Sequence, residues 1–298
     1  MKIYDCFMFY DENVVLDIRL NCLDKFVDKF VIVESRYAHN GEKRKLLFNV
    51  NNFKKFKKKI IYIILKNEPN NLIKIDKVSK SDVNPNKILN AIKRENFQRN
   101  FILEGLKSAE KDDIIIISDI DEIPRLDKFN FNSVSNKIYF FEQKYFYYKL
   151  NLYNPNSIWF GSRLCKFKKL LSPQWLRNVK PKNYPLWRVD AFFSNKKYFS
   201  NIFVKDGGWH FSYLKKPADI KKKLKTYLHH VEYELNPISV KRIGNIIRNQ
   251  KAIYDLNLDQ RINNRFSTGS KLTKFKFNQL PDYIKKNKIK FKKWLLRK

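Results

Sequence analysis

A run of four isoleucines at residues 114–117 constrains the fold of this 298-residue chain more than any other feature. β-branched side chains pack well on the pleated surface of a strand and lose side-chain freedom in a helix. A run without polar alternation suits a strand that is buried on both faces, as in a parallel sheet covered by helices on each side. The run therefore predicts the central strand of an α/β domain.

The segments before this run alternate between strand-like and helical patterns. Short apolar runs at residues 3–9, 30–34 and 60–65 predict strands, and residues 12–23 and 86–107 predict helices. An alternation of strands and helices is typical of a parallel sheet. We therefore predict an α/β fold with a Rossmann-type, mostly parallel sheet that is flanked by helices.

Beyond residue 124 the pattern changes to aromatic-rich strands and then to basic helices. The predicted strands lie at residues 137–150, 157–167 and 207–214, and the predicted helices at 217–229, 237–255 and 283–298. There is no internal repeat and no glycine- or serine-rich linker. We therefore predict one α/β domain over residues 1–235, followed by a basic, helical C-terminal extension over residues 236–298.

The last predicted helix has two interpretations. Phe291, Trp294 and Leu295 would share one face of this helix, and lysines would flank that face. Such a face either docks on the main domain or binds an anionic membrane surface. The sequence leaves both interpretations open.

Two aspartates, Asp119 and Asp121, follow the isoleucine run directly. In open α/β sheets ligands bind outside the carboxyl ends of the strands, which is where this pair would lie. Residues two apart in an extended chain project to the same side, so both carboxylates can meet one Mg²⁺ or Mn²⁺ and the phosphates it carries. Such a metal serves glycosyl transfer and phosphoryl transfer alike. The alternative is an acidic turn that merely ends the strand.

Four segments of the chain indicate a protein family more specifically than the aspartate pair does. They are residues 3–9 (IYDCFMF), 30–35 (FVIVES), 118–124 (SDIDEIP) and 208–212 (GWHFS). In this order they resemble glycosyltransferase family 17, whose animal members are β-1,4-mannosyl-glycoprotein β-1,4-N-acetylglucosaminyltransferases. The resemblance implies a GT-A-like fold, transfer of GlcNAc from UDP-GlcNAc, and inversion at the anomeric carbon. The expected acceptor is a hydroxyl group of a glycan or of a lipid-linked saccharide.

The histidine of the last segment, His210, is a candidate third metal ligand beside Asp119 and Asp121. Neutral imidazole can coordinate Mn²⁺, and metal-dependent GT-A enzymes often use a late histidine in this way. A core histidine that is bonded to the backbone is the alternative. Asp119 is also a candidate for the ribose of the donor, which leaves its role open between metal and nucleotide.

Three further residues are candidates for binding the nucleotide sugar. Arg94 and Arg99 lie on the predicted helix that precedes the isoleucine strand. A guanidinium group suits a diphosphate. A solvated helix face is the alternative for both. Glu34 ends the second predicted strand, where GT-A folds often contact the nucleoside, and a pairing of Glu34 with Arg19 is the alternative.

An inverting transferase needs a carboxylate base that deprotonates the acceptor hydroxyl. The candidates in the second half of the chain are Asp190, Asp206, Glu142 and Glu232. We choose Asp190 as the predicted base, because the neighbouring Trp187 and Arg188 give it an aromatic, partly desolvated setting.

The chain has 62 Lys and Arg against 29 Asp and Glu, a formal net charge of +33. This excess suits phosphorylated ligands, nucleic acid or an anionic membrane, and a compositional bias is the alternative cause. The rival function is a nucleic-acid-binding protein or a metal-dependent nuclease, which would interleave aromatic and basic residues on an exposed face. The aromatic residues here lie mostly in strand-like core runs. A UDP-sugar and a saccharide acceptor are therefore the expected partners, and nucleic acid is not.

The expected location is the cytoplasm, with peripheral attachment to the inner face of a membrane as an option. Cys6, Cys22 and Cys165 are scattered without metal-ligand spacing, which fits reduced thiols. The N-terminus has no apolar segment of signal length, and no segment approaches the roughly 20 apolar residues of a membrane span.

Overall fold

The computed structural model describes residues 1–254 and 269–296, which form a mixed α/β fold. The strands are β1 (Ile3–Phe9), β2 (Lys29–Ser35), β3 (Ile60–Leu65), β4 (Ile114–Asp119), β5 (Glu122–Pro124), β6 (Tyr139–Tyr147), β7 (Leu152–Lys166), β8 (Ile202–Ser212) and β9 (Thr273–Lys274). The α-helices are α1 (Asn13–Leu23), α2 (Val83–Asn100), α3 (Pro173–Asn178), α4 (Val189–Phe192), α5 (Pro217–Thr226), α6 (His230–Leu235), α7 (Val240–Arg248) and α8 (Asp282–Lys286).

The nine strands of the described ranges form one sheet in the order β3-β2-β1-β4-β7-β6-β8-β5, with β9 paired to β7. The pairs β1–β2, β1–β4, β2–β3 and β6–β8 are parallel. The pairs β4–β7, β6–β7, β7–β9 and β5–β8 are antiparallel. It follows that β5 and β7 run against the common direction of the other strands. The predicted GT-A-like α/β fold with a mostly parallel sheet is confirmed.

The isoleucine run lies in β4, in the middle of the sheet. Its four side chains are fully buried, and they alternate between two apolar clusters on the two faces of the sheet. Ile114 and Ile116 pack in the cluster that contains helix α1, while Ile115 and Ile117 pack with the 3₁₀ turn Phe101–Leu106. Burial on both faces is the property that the unbroken β-branched run predicted.

The aromatic second half of the chain builds β6, β7 and β8, and a third apolar cluster joins β6 and β7 to α5, α6 and α7. β8 begins at Ile202, earlier than predicted, because its first residues pair with β6 ahead of a shift in register. Gly208 has a φ angle of 132°, and a Cβ atom there would lie 2.2 Å from the Ile123 carbonyl oxygen. Glycine at this position therefore permits the close pairing of β8 with β5.

Two of the predicted C-terminal helices are shorter than expected. The helix predicted for residues 237–255 is α7, which ends at Arg248, and residue 255 lies outside the described residues. The single helix predicted for residues 283–298 is wrong, because α8 ends at Lys286 and a separate 3₁₀ turn, Lys292–Trp294, follows it. Residues 297 and 298 lie outside the described ranges.

The apolar residues of this C-terminal segment dock on the main domain. Ile284 and Phe291 are buried in the large apolar cluster, and Trp294 and Leu295 pack against it. Burial of these side chains outweighs the weak preference of a short segment for a continuous, solvated helix. Docking is therefore the arrangement seen in residues 269–296, while the domain boundary after residue 235 stays a prediction. Among the described helices, none has the length and apolar character that a membrane span needs.

Candidate active site

A cavity of about 400 Å³ opens at the carboxyl ends of β1 and β4. β1 lies between β2 and β4, so the order of the strands reverses at this point of the sheet. Crevices at such switch points bind ligands in open α/β sheets. The wall of the cavity includes Tyr10, Glu12, Glu95, Asp119, Asp121, Tyr145, Trp159, His210, Lys223 and Glu232. The sheet thus places the predicted aspartates and His210 around one cavity of ligand size.

Asp121 and His210 are brought together by a strand pair. β5 pairs with β8 so that Glu122 lies opposite His210, and the backbone N–H of Phe211 donates to the Asp121 carbonyl at 2.9 Å. Asp121 Oδ1 then lies 3.5 Å from His210 Nε2. At metal–ligand distances of about 2.1 Å, two neighbouring ligands of one ion are roughly 3 to 3.5 Å apart. These two side chains therefore fit adjacent positions around one divalent cation.

The imidazole of His210 is held between aromatic rings. Its ring is stacked on Tyr145 with centroids 4.4 Å apart, and the Trp159 ring lies 5.0 Å away. The buried Nδ1 atom has no hydrogen-bond partner among the residues that the structure describes. Packing, and not a backbone hydrogen bond, therefore orients Nε2 towards Asp121.

Asp119 is engaged by two arginines. Its Oδ1 accepts a hydrogen bond from Arg99 at 3.0 Å, and its Oδ2 accepts one from Arg177 at 3.1 Å. Burial alone would raise the pKa of Asp119, but Arg177 and Arg99 more than offset it and hold this pKa well below its usual range. In residues 1–254 and 269–296 no three His, Cys, Asp or Glu side chains are grouped as a metal site. Asp119 is therefore not placed as a third ligand beside Asp121 and His210.

Arg177, on α3, was not identified from the sequence. Its guanidinium group donates to both carboxylate oxygens of Glu122, at 2.8 and 2.9 Å, and to the Gly161 carbonyl. The fully buried Glu122 also accepts from the Asp119 backbone N–H at 2.7 Å and from the Trp159 indole N–H at 2.6 Å. Glu122 and Arg177 thus connect the segment Asp119–Asp121, called the aspartate motif here, to the rings of Tyr145 and Trp159, called the aromatic wall. No local pattern predicts this, because Arg177 follows Asp119 by 58 positions.

Two lysines provide positive charge in the same region. Lys215 contacts Asp11, and its Nζ lies 3.7 Å from Glu12 Oε1. Lys223 Nζ lies 3.7 Å from Glu12 Oε1 and 3.8 Å from Asp121 Oδ2. Burial favours the neutral form of Lys223, but Asp121 and Glu12 outweigh it and raise its pKa above the ordinary value. Neither lysine stands out in a sequence with 62 Lys and Arg residues.

The cavity therefore combines a carboxylate–imidazole pair, a charged lysine and an aromatic wall at the switch point of the sheet. The model of Glycosyltransferase family 17 matches residues 1–172. The chain belongs to glycosyltransferase family 17. No curated protein matches the chain. Among solved structures, the crystal structure of HddC from Yersinia pseudotuberculosis is 13% identical, with a TM-score of 0.33, and the match covers 70% of this chain and 92% of that chain.

In this family 17 glycosyltransferase the two predicted arginines lie behind the cavity wall. Arg94 pairs with Glu68 at 2.5 Å and donates to the His39 carbonyl at 3.3 Å, so it supports the loop that carries His39. Arg99 binds Asp119 and also pairs with Glu95 at 2.7 Å. The structure thus gives both guanidinium groups protein partners, and it does not line the cavity with either of them.

Glu34 of the transferase is fully buried and does not line the cavity. Its carboxylate accepts hydrogen bonds from the Arg44 side chain, the Tyr62 hydroxyl and the backbone N–H groups of Leu47 and Phe48. The alternative pairing with Arg19 is wrong, because Arg19 binds the Asp5 carboxylate at 2.5 and 2.7 Å. Glu34 therefore anchors the chain after β2, where the sequence predicted a nucleoside contact.

Asp190 of the transferase lies on α4, away from the residues that line the cavity. Its carboxylate is half-exposed and pairs with Arg188 at 2.7 Å and with Lys197. The side-chain hydrogen bonds from Arg188 and Lys197 hold the pKa of Asp190 well below its usual range. The aromatic setting that favoured Asp190 in the sequence is solvent-facing in the structure, so the structure does not bring this residue to Asp121 and His210.

Proposed function

We propose that this glycosyltransferase transfers a sugar from a nucleotide-sugar donor to a saccharide hydroxyl with inversion, and that UDP-GlcNAc is the first donor to test. The observation that carries the proposal is the Asp121–His210 pair beside Lys223 in the switch-point cavity. A diphosphate leaving group needs positive charge where its own negative charge develops. The UDP-GlcNAc assignment is supported by the resemblance to the animal N-acetylglucosaminyltransferases of the same family.

Mn²⁺ or Mg²⁺ is the cofactor proposed for this site. Asp121 and His210 would hold the ion, and a bound ion would neutralise charge on the departing diphosphate. Lys223 adds a fixed positive charge in the same wall, since its raised pKa keeps it protonated. In this proposal Asp119 has a positioning role, because its ion pairs with Arg99 and Arg177 fix the chain that leads to Asp121.

The catalytic base is proposed among the carboxylates that line the cavity, in place of Asp190. Burial raises the pKa of Glu95, but Arg99 outweighs burial and lowers it, which makes Glu95 a weak base. Asp121 is assigned to the metal and Glu12 is paired with two lysines. Glu232, on α6, also lines the cavity, and its Oε1 lies 3.4 Å from Nδ1 of His229. We propose Glu232 as the base because it comes from the second half of the chain, where the sequence predicted the base, and an imidazole lies beside it to share the proton.

Release of UDP from a panel of UDP-sugars, with and without Mn²⁺, tests the proposed donor and cofactor together. We expect release with UDP-GlcNAc and a saccharide acceptor, and a strong dependence on Mn²⁺. Asp121→Asn should lower turnover at least about a hundredfold. Asp190→Asn, the same change on a half-exposed aspartate outside the cavity, is the matched control and should stay within about twofold. Equal activity of the two variants would contradict the assignment of Asp121.

The proposed catalytic base, Glu232, is tested separately. Glu232→Gln should lower kcat by about 10² or more while the affinity for UDP stays unchanged, because the donor does not need the base to bind. Glu95→Gln is the comparison within the cavity. A larger loss of kcat in Glu95→Gln than in Glu232→Gln would transfer the role to Glu95.

A further inference from the structure

Residues 185–193, called the tip here, carry a dense set of exposed apolar side chains. Leu186, Trp187, Val189, Phe192 and Phe193 are between 62% and 88% exposed. Large apolar side chains are rarely exposed together on a protein surface without a binding role. The tip lies outside the cavity wall, so the proposed transfer reaction leaves it unexplained.

Backbone hydrogen bonds join the two arms of the loop that carries the tip. The backbone N–H of Lys180 donates to Lys196 at 2.8 Å, and that of Tyr184 donates to Tyr198 at 3.0 Å. Below these bonds the Trp175 indole donates to the Asn195 carbonyl at 2.5 Å. The two arms of the loop are therefore tied together, and the apolar side chains project from a preformed support.

Positive charge surrounds the tip. Lys180, Lys182 and Lys196 are exposed at its base, and Arg188 lies within it. Asp190 is the single acidic residue between positions 171 and 201, and Arg188 and Lys197 already neutralise it. The tip thus combines exposed Trp, Phe and Leu side chains with a net positive rim.

We propose that the tip inserts into the interface of an anionic phospholipid membrane and attaches the protein peripherally. Aromatic and leucine side chains partition into the boundary between headgroups and acyl chains, and flanking lysines are attracted by anionic headgroups. A second copy of the chain fits this surface poorly, since a two-fold contact would place two positive rims against each other. The C-terminal segment lacks the required face, because its Ile284 and Phe291 are buried in the domain.

Co-sedimentation with vesicles tests the proposal. We expect the full chain to bind vesicles of phosphatidylcholine with phosphatidylglycerol, to bind pure phosphatidylcholine weakly, and to be released by high salt. The double variant Trp187→Ser/Phe193→Ser should lower the partition coefficient at least about tenfold, because it removes two side chains that would be buried. Ile289→Ser is the matched control, since Ile289 is 90% exposed in the basic C-terminal segment. It should bind within about twofold of wild type.

The contribution of the lysines and the depth to which the tip inserts are tested separately. Changing Lys180, Lys182 and Lys196 to Gln should weaken binding by about fivefold per residue and reduce the salt dependence. Brominated lipids should quench the fluorescence of Trp187, as judged by comparison with Trp187→Phe. Circular dichroism and UDP release with a soluble acceptor should be unchanged in all these variants, because the altered side chains are exposed.

Three results would overturn the proposal. The first is wild-type binding by the Trp187→Ser/Phe193→Ser variant, and the second is an equal loss in Ile289→Ser. The third is a failure of the wild type to bind anionic vesicles. If the wild type then also self-associates in sedimentation velocity and the double variant does not, the tip is an interface between protein chains.

Discussion

Replacement of Arg177 by methionine tests the link between the aspartate motif and the aromatic wall. Methionine keeps much of the side-chain length but removes the guanidinium group. Arg177 is about 10% exposed, and its partner Glu122 is fully buried. Glu122 would keep the hydrogen bonds from the Asp119 backbone and the Trp159 indole, but it would lose the guanidinium group that donates to both of its carboxylate oxygens.

The expected destabilisation follows from the bonds that are lost. Two charge-assisted hydrogen bonds to Glu122 at 2.8 and 2.9 Å disappear, and each contributes about 1.5 to 3 kcal/mol. The bond to Asp119 adds less, since that carboxylate is about 35% exposed and water can replace Arg177 there. Breaking a buried ion pair typically costs about 3 to 5 kcal/mol. We therefore expect the free energy of unfolding to fall by about 4 kcal/mol.

Thermal and urea unfolding of Arg177→Met measure this loss. Arg188→Met is the matched control, because Arg188 also forms a two-bond pair, with Asp190, but on half-exposed side chains. Its expected cost is below about 1 kcal/mol. The double variant Arg177→Met/Glu122→Gln should recover part of the stability, since the buried charge that lost this guanidinium group is gone. Equal losses in Arg177→Met and Arg188→Met would refute the reasoning.

Three further predictions concern the remaining carboxylates and the histidine. Glu34→Gln should lower the free energy of unfolding by about 3 kcal/mol, because Glu34 accepts four hydrogen bonds within the protein. The affinity for UDP, measured by titration calorimetry, should stay unchanged. Weakened UDP binding would support the predicted contact of Glu34 with the nucleoside. His210→Ala should raise the Mn²⁺ concentration for half-maximal activity at least about tenfold, and an unchanged Mn²⁺ titration would leave His210 a packing residue. Asp119 has a lowered pKa in the folded state, so its stabilising contribution is present above its ordinary pKa of 3.8 and is lost as the pH falls below it. The melting temperature should therefore fall more steeply between about pH 4 and about pH 2 in wild type than in Asp119→Asn, and parallel curves would contradict this.

Much of the parallel half of the fold could be predicted, because its signals are local. β1 and β3 have the predicted bounds, and the isoleucine run is the doubly buried strand that its composition indicated. The position of Asp119 and Asp121 at the carboxyl end of this strand follows from the sequence alone, and ligands bind at that edge of open α/β sheets. The C-terminal segment was predicted less well. Its periodicity suits a helix, but contacts with the main domain decide its conformation.

The candidate site was predicted only in part, because side-chain partners come from distant parts of the chain. The Gly-Trp-His segment drew attention to His210, and the pairing of β5 with β8 then brings His210 to Asp121. Arg99 was expected to face a diphosphate, but Asp119 and Glu95 hold it inside the wall. Arg177 and Lys223 have no local signal, since their partners lie about 50 to 200 positions away.

The amino-acid sequence by itself determined the strand and helix alternation, the central buried strand and the acidic edge that follows it, since β-branching and hydrophobic spacing act over a few residues. Only the tertiary structure decided which charges are neutralised and which face the cavity. It also decided that Trp187, Phe192 and Phe193 near Asp190 project into solvent while Phe291 of the C-terminal segment is buried. The physical reason is that burial and ion pairing depend on the packing of elements that are far apart in the chain.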